Sequence, residues 1–152
     1  MPETPEPSEQ STDKKRHPVK PGDNFFYNSS RERGRRETTL LGYGEHEGGF
    51  IGWYQVVGDT RKSWQYLDRL MLSAGTSSKE EDNKPVDFIV NVKRSEKTGS
   101  QIEGDWRYVG YVPDSNPSLV RVEKEGEQDG QPVVFSEKVF VENLAKWNGP
   151  QE

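Results

Sequence analysis

Short runs of aromatic and β-branched residues, separated by clusters of glycine, asparagine, aspartate and serine, recur from residue 25 to residue 141. The first kind of residue favours strands, and the second favours turns. Residues 61–74 instead carry apolar side chains at the three- and four-residue spacing of an amphipathic helix. The pattern predicts a mainly antiparallel β domain of about six to eight short strands with one covering helix.

Three patterns place particular strands and turns. Residues 50–57 are largely apolar on both sides, which is typical of a central strand that is covered on each face or of a strand that closes a small barrel. Residues 86–93 alternate in polarity, which directs Asp87 to the outward side of a one-sided strand. Asp129 followed by Gly130 predicts a type I′ hairpin turn, because that turn needs positive φ at both central residues.

The helix is predicted over residues 61–74 because its apolar side chains form one stripe. The stripe consists of Trp64, Leu67, Met71 and Ala74. Asp59 or Thr60 can cap the first turn, and Gly75 can end the helix in the left-handed conformation. We expect the stripe to pack on the sheet and to cover one open side of it.

The distribution of apolar residues sets the domain limits. The chain has 152 residues, of which 29% are hydrophobic and 31% are charged. Residues 1–20 contain no Phe, Trp or Tyr, and Val19 is their one aliphatic residue after Met1. Such a segment cannot bury enough apolar area to offset the entropy lost on ordering. We therefore predict a disordered tail over residues 1–20, one mainly-β domain over residues 21–147 and a disordered end over residues 148–152.

The order of strands and turns resembles that of SH3-like and Tudor-like barrels. The segments KPGDNFFYNSS, GFIGWYQVV and VDFIVNVKR also resemble parts of PUA-type and EVE-type readers of modified bases. This resemblance implies a small antiparallel barrel or rolled sheet. It carries no functional residue over to this chain.

Charge and cysteine content limit the classes of partner and of chemistry. The net charge is −5, so the protein as a whole has no long-range attraction to nucleic acid or anionic lipid. Cysteine is absent, which excludes a disulfide, a thiolate nucleophile and cysteine-bound zinc. The sequence shows no secretory signal and no apolar run near the roughly 20 residues that span a bilayer. We expect an intracellular protein, cytoplasmic or nuclear, without a membrane partner.

Four tyrosines are the candidate ligand-binding aromatic residues because they lie in predicted strands near turns. They are Tyr43, Tyr54, Tyr108 and Tyr111. A half-open pocket of such rings can hold a methylated lysine or arginine by cation–π attraction, or stack on a base. The competing interpretation is that the rings fill a core poor in leucine. For Trp53, which shares a strand face with Ile51 and Val57, we favour the core.

Arginine is concentrated in residues 31–36, RERGRR. Arg33, Arg35 and Arg36 are candidates to bind a phosphate or an acidic peptide, because a guanidinium offers a planar pair of donors. The alternative is a solvated hairpin tip with no ligand. Both interpretations place these residues in the loop between two strands of a hairpin.

His46 lies between Glu45 and Glu47 and is the histidine outside the predicted tail. One imidazole with two carboxylates is a weak metal site, because the sequence locates no further ligand. It would also be the sole base for nucleophilic catalysis, and no nucleophile-elbow pattern is present. We therefore predict no metal, no cofactor and no enzymatic activity.

Together these patterns predict a non-catalytic binding module that recognises a peptide or nucleic-acid partner through an aromatic-rimmed groove and an arginine-rich loop. A protein or peptide partner is preferred, and nucleic acid is the alternative. A second hypothesis is a structural subunit of a larger assembly such as a virion, in which exposed edge strands pair with neighbours. An enzyme is the least favoured class. The sequence does not set the oligomeric state.

Overall fold

A computed structural model describes residues 16–28, 34–94, 102–115 and 118–147. These residues form ten strands, arranged in two five-stranded sheets, and one α-helix, α1 (Leu67–Leu72). The prediction of a mainly β protein is confirmed. The described strands form two open sheets and no closed barrel, so the predicted barrel is corrected.

The first sheet is antiparallel except at one edge. In spatial order it consists of β1 (His17–Val19), β7 (Val86–Val92), β8 (Gly104–Val112), β9 (Leu119–Gln128) and β10 (Gln131–Phe140). β1 pairs in parallel with β7, and His17 lies opposite Val86. β9 and β10 form a long hairpin whose turn end is exposed, whereas Val120, Val122 and Val139 at its other end belong to the core.

The second sheet is antiparallel throughout. In spatial order it consists of β5 (Ser63–Tyr66), β4 (Gly49–Val56), β3 (Arg36–His46), β2 (Asn24–Tyr27) and β6 (Ala74–Gly75). β4 is flanked by β3 and β5 and is therefore a central strand, as predicted. The prediction that both of its faces are covered is corrected, because Phe50 packs against the first sheet whereas Trp53 lies on the outer face. The predicted hairpin between the first two strands of this sheet is also confirmed, because β2 pairs with β3.

Aromatic rings from the two sheets meet in one core. Phe25 of the second sheet lies edge-on to Phe88 of the first, with ring centroids 5.2 Å apart. Phe50 stacks on Tyr108 with centroids 5.5 Å apart. All the buried hydrophobic residues described except Ile51 belong to a single cluster. The prediction that rings fill a core poor in leucine therefore describes this interior well.

Two β-bulges turn tyrosines into the core. The pairing of β3 with β4 shifts between Leu40 and Gly42, so that Leu40 and Tyr43 face the same side. The pairing of β8 with β9 shifts between Tyr108 and Gly110, with the same effect on Tyr108 and Tyr111. A bulge adds one residue to one strand, and so it reverses the alternation of side chains beyond it.

The predicted helix over residues 61–74 is corrected in length and in its first half. Residues 63–66 form β5, in which Trp64 lies opposite Trp53 of β4. The helix begins only at Leu67, and it buries Leu67 and Leu70. Strand pairing prevails at Trp64 because the neighbouring strand offers a hydrogen-bonded edge and a ring as cross-strand partner.

The boundary predicted at residue 20 is also corrected. Val19 is fully buried, and β1 covers the edge of β7. One aliphatic residue is enough here because the strand pairs through its backbone. The folded part thus extends to at least Arg16, whose side chain contacts Asp87. The rest of the predicted tail, residues 1–15, and the predicted end over residues 148–152 lie outside the described residues.

Asp87 is buried, whereas its alternation predicted an outward position. Its residue exposure is 6%, because Arg16, directly before β1, and Arg107 of β8 cover the carboxylate from its two sides. The other residues of β7 follow the predicted alternation, with Val86, Phe88, Val90 and Val92 in the core. A flanking strand on each side therefore gives this face of β7 a cationic cover.

Two tight turns have the positive φ that a type I′ hairpin needs. Asp129 and Gly130 have φ of 56° and 78°, which confirms the predicted turn. Glu47 and Gly48 have φ of 48° and 82° and form the turn between β3, which ends at His46, and β4.

Candidate aromatic binding surface

Two of the predicted site tyrosines lie in the core rather than at a solvent-facing rim. Tyr43 and Tyr108 are almost fully buried and lie on either side of Phe50. The Tyr43 hydroxyl donates a 2.8 Å hydrogen bond to the Ile89 carbonyl oxygen, which connects the two sheets. Burial raises the pKa of both phenols, and at Tyr108 a hydrogen bond to Asp68 adds to the rise.

The other two predicted tyrosines are half-buried and lie apart from each other. Tyr54 meets Tyr27 edge-on, with ring centroids 5.0 Å apart, and packs against the core from β4. Tyr111 packs against the core from β8, and its backbone N–H donates to Asp68. The structure therefore does not bring the four predicted tyrosines into one groove.

The predicted arginine loop is described only in part. Arg35 is half-buried, and its Nη1 donates a 3.4 Å hydrogen bond to the Ser77 carbonyl oxygen. Arg36 begins β3 opposite Tyr27 and is exposed. Arg35 and Arg36 line different recesses. Arg33 lies outside the described residues.

A contiguous group of rings lies on the outer face of the second sheet, away from the core. We call it the tryptophan surface, and its members are His46, Trp53, Trp64, Tyr66 and Trp147. Trp53 of β4 lies opposite Trp64 of β5. Trp147 lies edge-on to Trp53, with centroids 5.6 Å apart. Three tryptophans thus run across β3, β4 and β5 in one row.

Glycines on the same face make room for these rings. A Cβ placed on Gly42 would lie 2.2 Å from Trp147 Cβ, and one on Gly49 would lie 2.7 Å from a Tyr66 ring carbon. The backbone N–H of Trp147 donates to the Tyr43 carbonyl oxygen. Trp147 is therefore held over β3 both by a hydrogen bond and by the absence of a side chain beneath it.

The end of the tryptophan surface at Trp64 is its most solvent-exposed part. Trp64 has 37% of its surface exposed, which is high for the largest apolar side chain. Its ring meets Tyr66 at 86° and His46 at 45°, with centroids 5.5 Å and 4.5 Å away. Rings in such tilted contacts form ridges and clefts rather than a flat plane. The surface can therefore receive a side chain between its rings.

Charged residues lie at the two ends of this surface. Glu45 accepts a 3.0 Å hydrogen bond from Lys146 beside Trp147. Glu47 lies 3.8 Å from His46 Nε2 at the β3–β4 turn. Asp59, in the loop before β5, pairs with Arg61 at 3.1 Å, and that contact lowers the Asp59 pKa. The ends thus carry both signs, with carboxylates at each.

A cavity of about 280 Å³ lies on the other side of Trp147. Its walls include Leu41, Ile89 and the pair Lys20–Asp105, whose charged atoms are 2.9 Å apart. Hydrogen bonds from Lys20 and Asn91 lower the pKa of Asp105, so this carboxylate is ionised at neutral pH. Trp147 therefore has the tryptophan surface on one side and a partly polar cavity on the other.

Sequence reasoning placed Trp53 in the core and Trp64 on a helix, and so it missed this surface. The signal that could have found it lies in the glycines. Gly42, Gly44 and Gly49 leave gaps on one face of β3 and β4, and large rings on adjacent strands fill such gaps. Glycine opposite tryptophan in a hairpin thus indicates an aromatic outer face.

The described residues also bear on two other possibilities, a metal site and a membrane-spanning helix. Among the residues that the structure describes, no group of three or more His, Asp or Glu lies where it could hold a metal ion. His46 instead contacts the rings of Trp64 and Tyr66. None of the helices described is both long and apolar enough to cross a membrane. Comparison of the chain with protein-family models, curated proteins and solved structures finds no match.

Proposed function

We propose that this protein is a non-catalytic binding module that recognises a peptide through the tryptophan surface. The observation that carries the proposal is the row of three tryptophans on the solvent side of one sheet, with Trp64 37% exposed at its end. Contiguous exposed rings are typical of protein interaction sites, and tryptophan is enriched among the residues that dominate binding energy.

A basic side chain is the group that this surface fits best. The faces of Trp and Tyr rings attract cations, by about 0.5–2 kcal/mol for each contact. Glu47 lies beside His46 at the β3–β4 turn, at one edge of the surface, and the whole chain carries a net charge of −5. Both features favour a lysine-, arginine- or methyllysine-containing peptide over the phosphate backbone of a nucleic acid.

The test uses short peptides with a central lysine in varied flanks, followed by tryptophan fluorescence and NMR. For the best sequence, trimethyllysine and neutral norleucine replace the lysine. We expect the cationic forms to bind about 2- to 30-fold more tightly than norleucine, the range that a cation–π contact gives. If the norleucine peptide bound as tightly as the cationic peptides, the proposed preference for a cation would be wrong.

Two variants locate the site. Trp64→Ala removes the exposed ring and should weaken binding by about tenfold or more. Phe135→Ala is the matched control, since Phe135 is an aromatic residue with 41% exposure on the other sheet, outside the tryptophan surface. If both variants weaken binding equally, the tryptophan surface is not the site. An oligonucleotide that competes with the peptide and depends on Trp64 would move the ligand class to nucleic acid.

A subunit of an assembly is the second candidate function, and β10 favours it. β10 is a ten-residue strand at the end of the first sheet, and no described strand pairs with its outer side. Val134 and Phe135 are exposed on it. A long apolar edge is a template for pairing with another chain. Sedimentation of the protein and of Ser136→Pro at micromolar concentration tests this candidate, which predicts oligomers that the proline variant loses.

The proposal also includes the cellular compartment of the protein and its likeness to known small β domains. We propose an intracellular setting, cytoplasmic or nuclear, because a chain without cysteine suits a reducing compartment. The likeness to SH3-like, Tudor-like and PUA-type domains supports a binding role in a small β protein, by analogy alone. Fractionation of cells that express the full chain checks the compartment.

A further inference from the structure

A second recess lies at the end of the core where α1 meets β6 and the start of β7. It has a volume of about 590 Å³, within the range of pockets that hold small ligands. Its walls include Arg16, Arg35, Asp68, Leu72 and Val109. None of the residues of the tryptophan surface lines it, so the two features are independent.

One wall of the recess is cationic and held in place. Arg35 lies directly against Gly75, where an added Cβ would be 2.2 Å from its Nη1, and its Nη1 also donates to Ser77. Arg16 donates through Nε to Asp87 and through Nη2 to the Val86 carbonyl oxygen at 3.2 Å. Backbone and packing contacts therefore orient both guanidiniums before any ligand arrives.

The acidic groups near this wall have donors of their own. Asp68 accepts hydrogen bonds from the Tyr108 hydroxyl at 2.7 Å and from the Tyr111 N–H at 3.3 Å. Asp87 lies between Arg16 and Arg107, and its contact with Arg16 is through Nε. The lining itself has two cations and one anion, in a protein whose net charge is −5.

The rim of the recess is apolar. Leu72 at the end of α1 is 85% exposed, and Val109, the bulged residue of β8, is 36% exposed. Met71 lies between them and the core. An exposed leucine is unremarkable alone, but here it adjoins a second exposed aliphatic residue at the mouth of a cationic recess.

We propose that this recess binds a ligand in which a carboxylate is attached to an aliphatic group. The guanidiniums of Arg16 and Arg35 would donate hydrogen bonds to the two oxygens of the carboxylate, and Leu72 and Val109 would cover the aliphatic part. The C-terminus of a peptide that ends in leucine and a free aliphatic acid share this chemistry. The proposal does not depend on the tryptophan surface.

The test measures binding to the full chain by calorimetry and by NMR. The probes are a hexapeptide ending in leucine with a free carboxylate, the same peptide amidated, octanoate, and inorganic phosphate. We expect the free carboxylate to bind about tenfold or more tightly than the amide, as the loss of charge-assisted hydrogen bonds implies. Tight binding by the peptide or by octanoate identifies the source of the carboxylate, and either supports the proposal.

Variants then separate this recess from the rest of the molecule. Arg35→Gln should weaken binding by about tenfold or more, and Leu72→Ser should weaken it by severalfold without affecting the fold, since Leu72 is exposed. Arg69→Gln, an exposed arginine on the same helix, is the matched control and should bind as the unaltered chain does. Trp64→Ala should also leave this binding unchanged, even if it abolishes peptide binding elsewhere.

Four results would overturn the proposal. The first is equal binding of the acid and the amide, and the second is binding of phosphate as tight as that of the carboxylates. The third is an affinity that neither Arg35→Gln nor Leu72→Ser changes while both variants remain folded. Failure of all probes to bind at millimolar concentration would also exclude it.

Discussion

The Tyr108 hydroxyl donates a 2.7 Å hydrogen bond to Oδ1 of Asp68, which connects β8 of the first sheet to helix α1. The Tyr108 ring stacks on Phe50 of the second sheet. One side chain therefore contacts both sheets and the helix, at a position where its hydroxyl is shielded from water. The helix position depends on this contact as well as on the burial of Leu67 and Leu70.

Replacement of Tyr108 by phenylalanine should lower the free energy of unfolding by about 1.5 kcal/mol, the low end for a hydrogen bond to a charged group, because Asp68 is exposed. Urea unfolding measures the change. Tyr66→Phe is the control, since no hydrogen bond of its hydroxyl occurs among the described residues, and it should change stability little. Equal stability of Tyr108→Phe and the unaltered chain would contradict the role given to this contact.

The buried phenols make the protein sensitive to alkali. Burial raises the pKa of Tyr43 and, together with Asp68, that of Tyr108. An unfolded tyrosine titrates near pH 10. Folding stability from these groups is thus complete below about pH 10 and is lost as pH rises toward the raised folded values, by about 1.4 kcal/mol per pH unit for each tyrosine.

Absorbance at 295 nm follows this titration directly. We expect two of the six tyrosines to stay protonated until the protein unfolds, and then to ionise together with the loss of structure. Tyr43→Phe should leave one such group and a shallower fall of stability with pH. Ionisation of all six tyrosines near pH 10 in a still folded chain would be incompatible with these burials.

Gly42 determines whether Trp147 can lie over β3. Gly42→Ala should move Trp147 away, because an added Cβ would lie 2.2 Å from Trp147 Cβ, and stability should fall by about 1–3 kcal/mol as in other overpacked sites. Gly110→Ala is the control, since nothing lies within 4 Å of its added Cβ. The fluorescence of Trp147 and urea unfolding report both effects. If Gly42→Ala changed neither the fluorescence nor the stability, Trp147 would not be held over β3.

Two aspartate–cation pairs of different burial should differ in their contribution to stability. The Asp87 side chain is 9% exposed between Arg16 and Arg107, whereas the Asp105 side chain, paired with Lys20, is 46% exposed. Asp87→Asn should cost about 1–3 kcal/mol, because it leaves Arg16 without its charge partner and removes one of the three carboxylates near Arg107. Asp105→Asn should cost less than about 1 kcal/mol, and 1 M salt should remove most of that cost. If Asp87→Asn and Asp105→Asn lowered the free energy of unfolding equally, burial would not determine the contribution of these ion pairs to stability.

Strands with strong local signals could be predicted from the sequence. The alternation of residues 86–93, except at Asp87, and the Asp129–Gly130 turn appear in the structure as predicted. Both depend on neighbours in the chain: the period of two belongs to the strand itself, and the positive φ belongs to the turn. The mainly β class follows from such elements without knowledge of how they meet.

The directions of the tyrosines could not be predicted in the same way. Tyr43 and Tyr111 each follow a bulge, which reverses the alternation that the sequence shows. A bulge depends on the partner strand, and the partner is not visible in a local pattern. Tyr108 was misplaced because its hydroxyl partner, Asp68, lies forty residues away on the helix.

The tryptophans were misplaced for a related reason. Trp64 fits a helical stripe with Leu67 and Met71, and the sequence alone gives no sign that β4 pairs with it. Competing periodicities in a short segment are decided by tertiary contacts. The tryptophan surface therefore arises from pairing of three strands, and none of its five members could be assigned to it before the pairing was known.

The parallel pairing of β1 with β7 has a consequence for how this protein is handled and made. His17 lies opposite Val86, so β1 leaves the ribosome before the whole of the second sheet and can dock only after β7 has followed. A shortened chain that starts at residue 21 would uncover Val86 and the hydrogen-bonding groups along β7. We expect such a chain to self-associate and precipitate, since a bare strand margin recruits other strands.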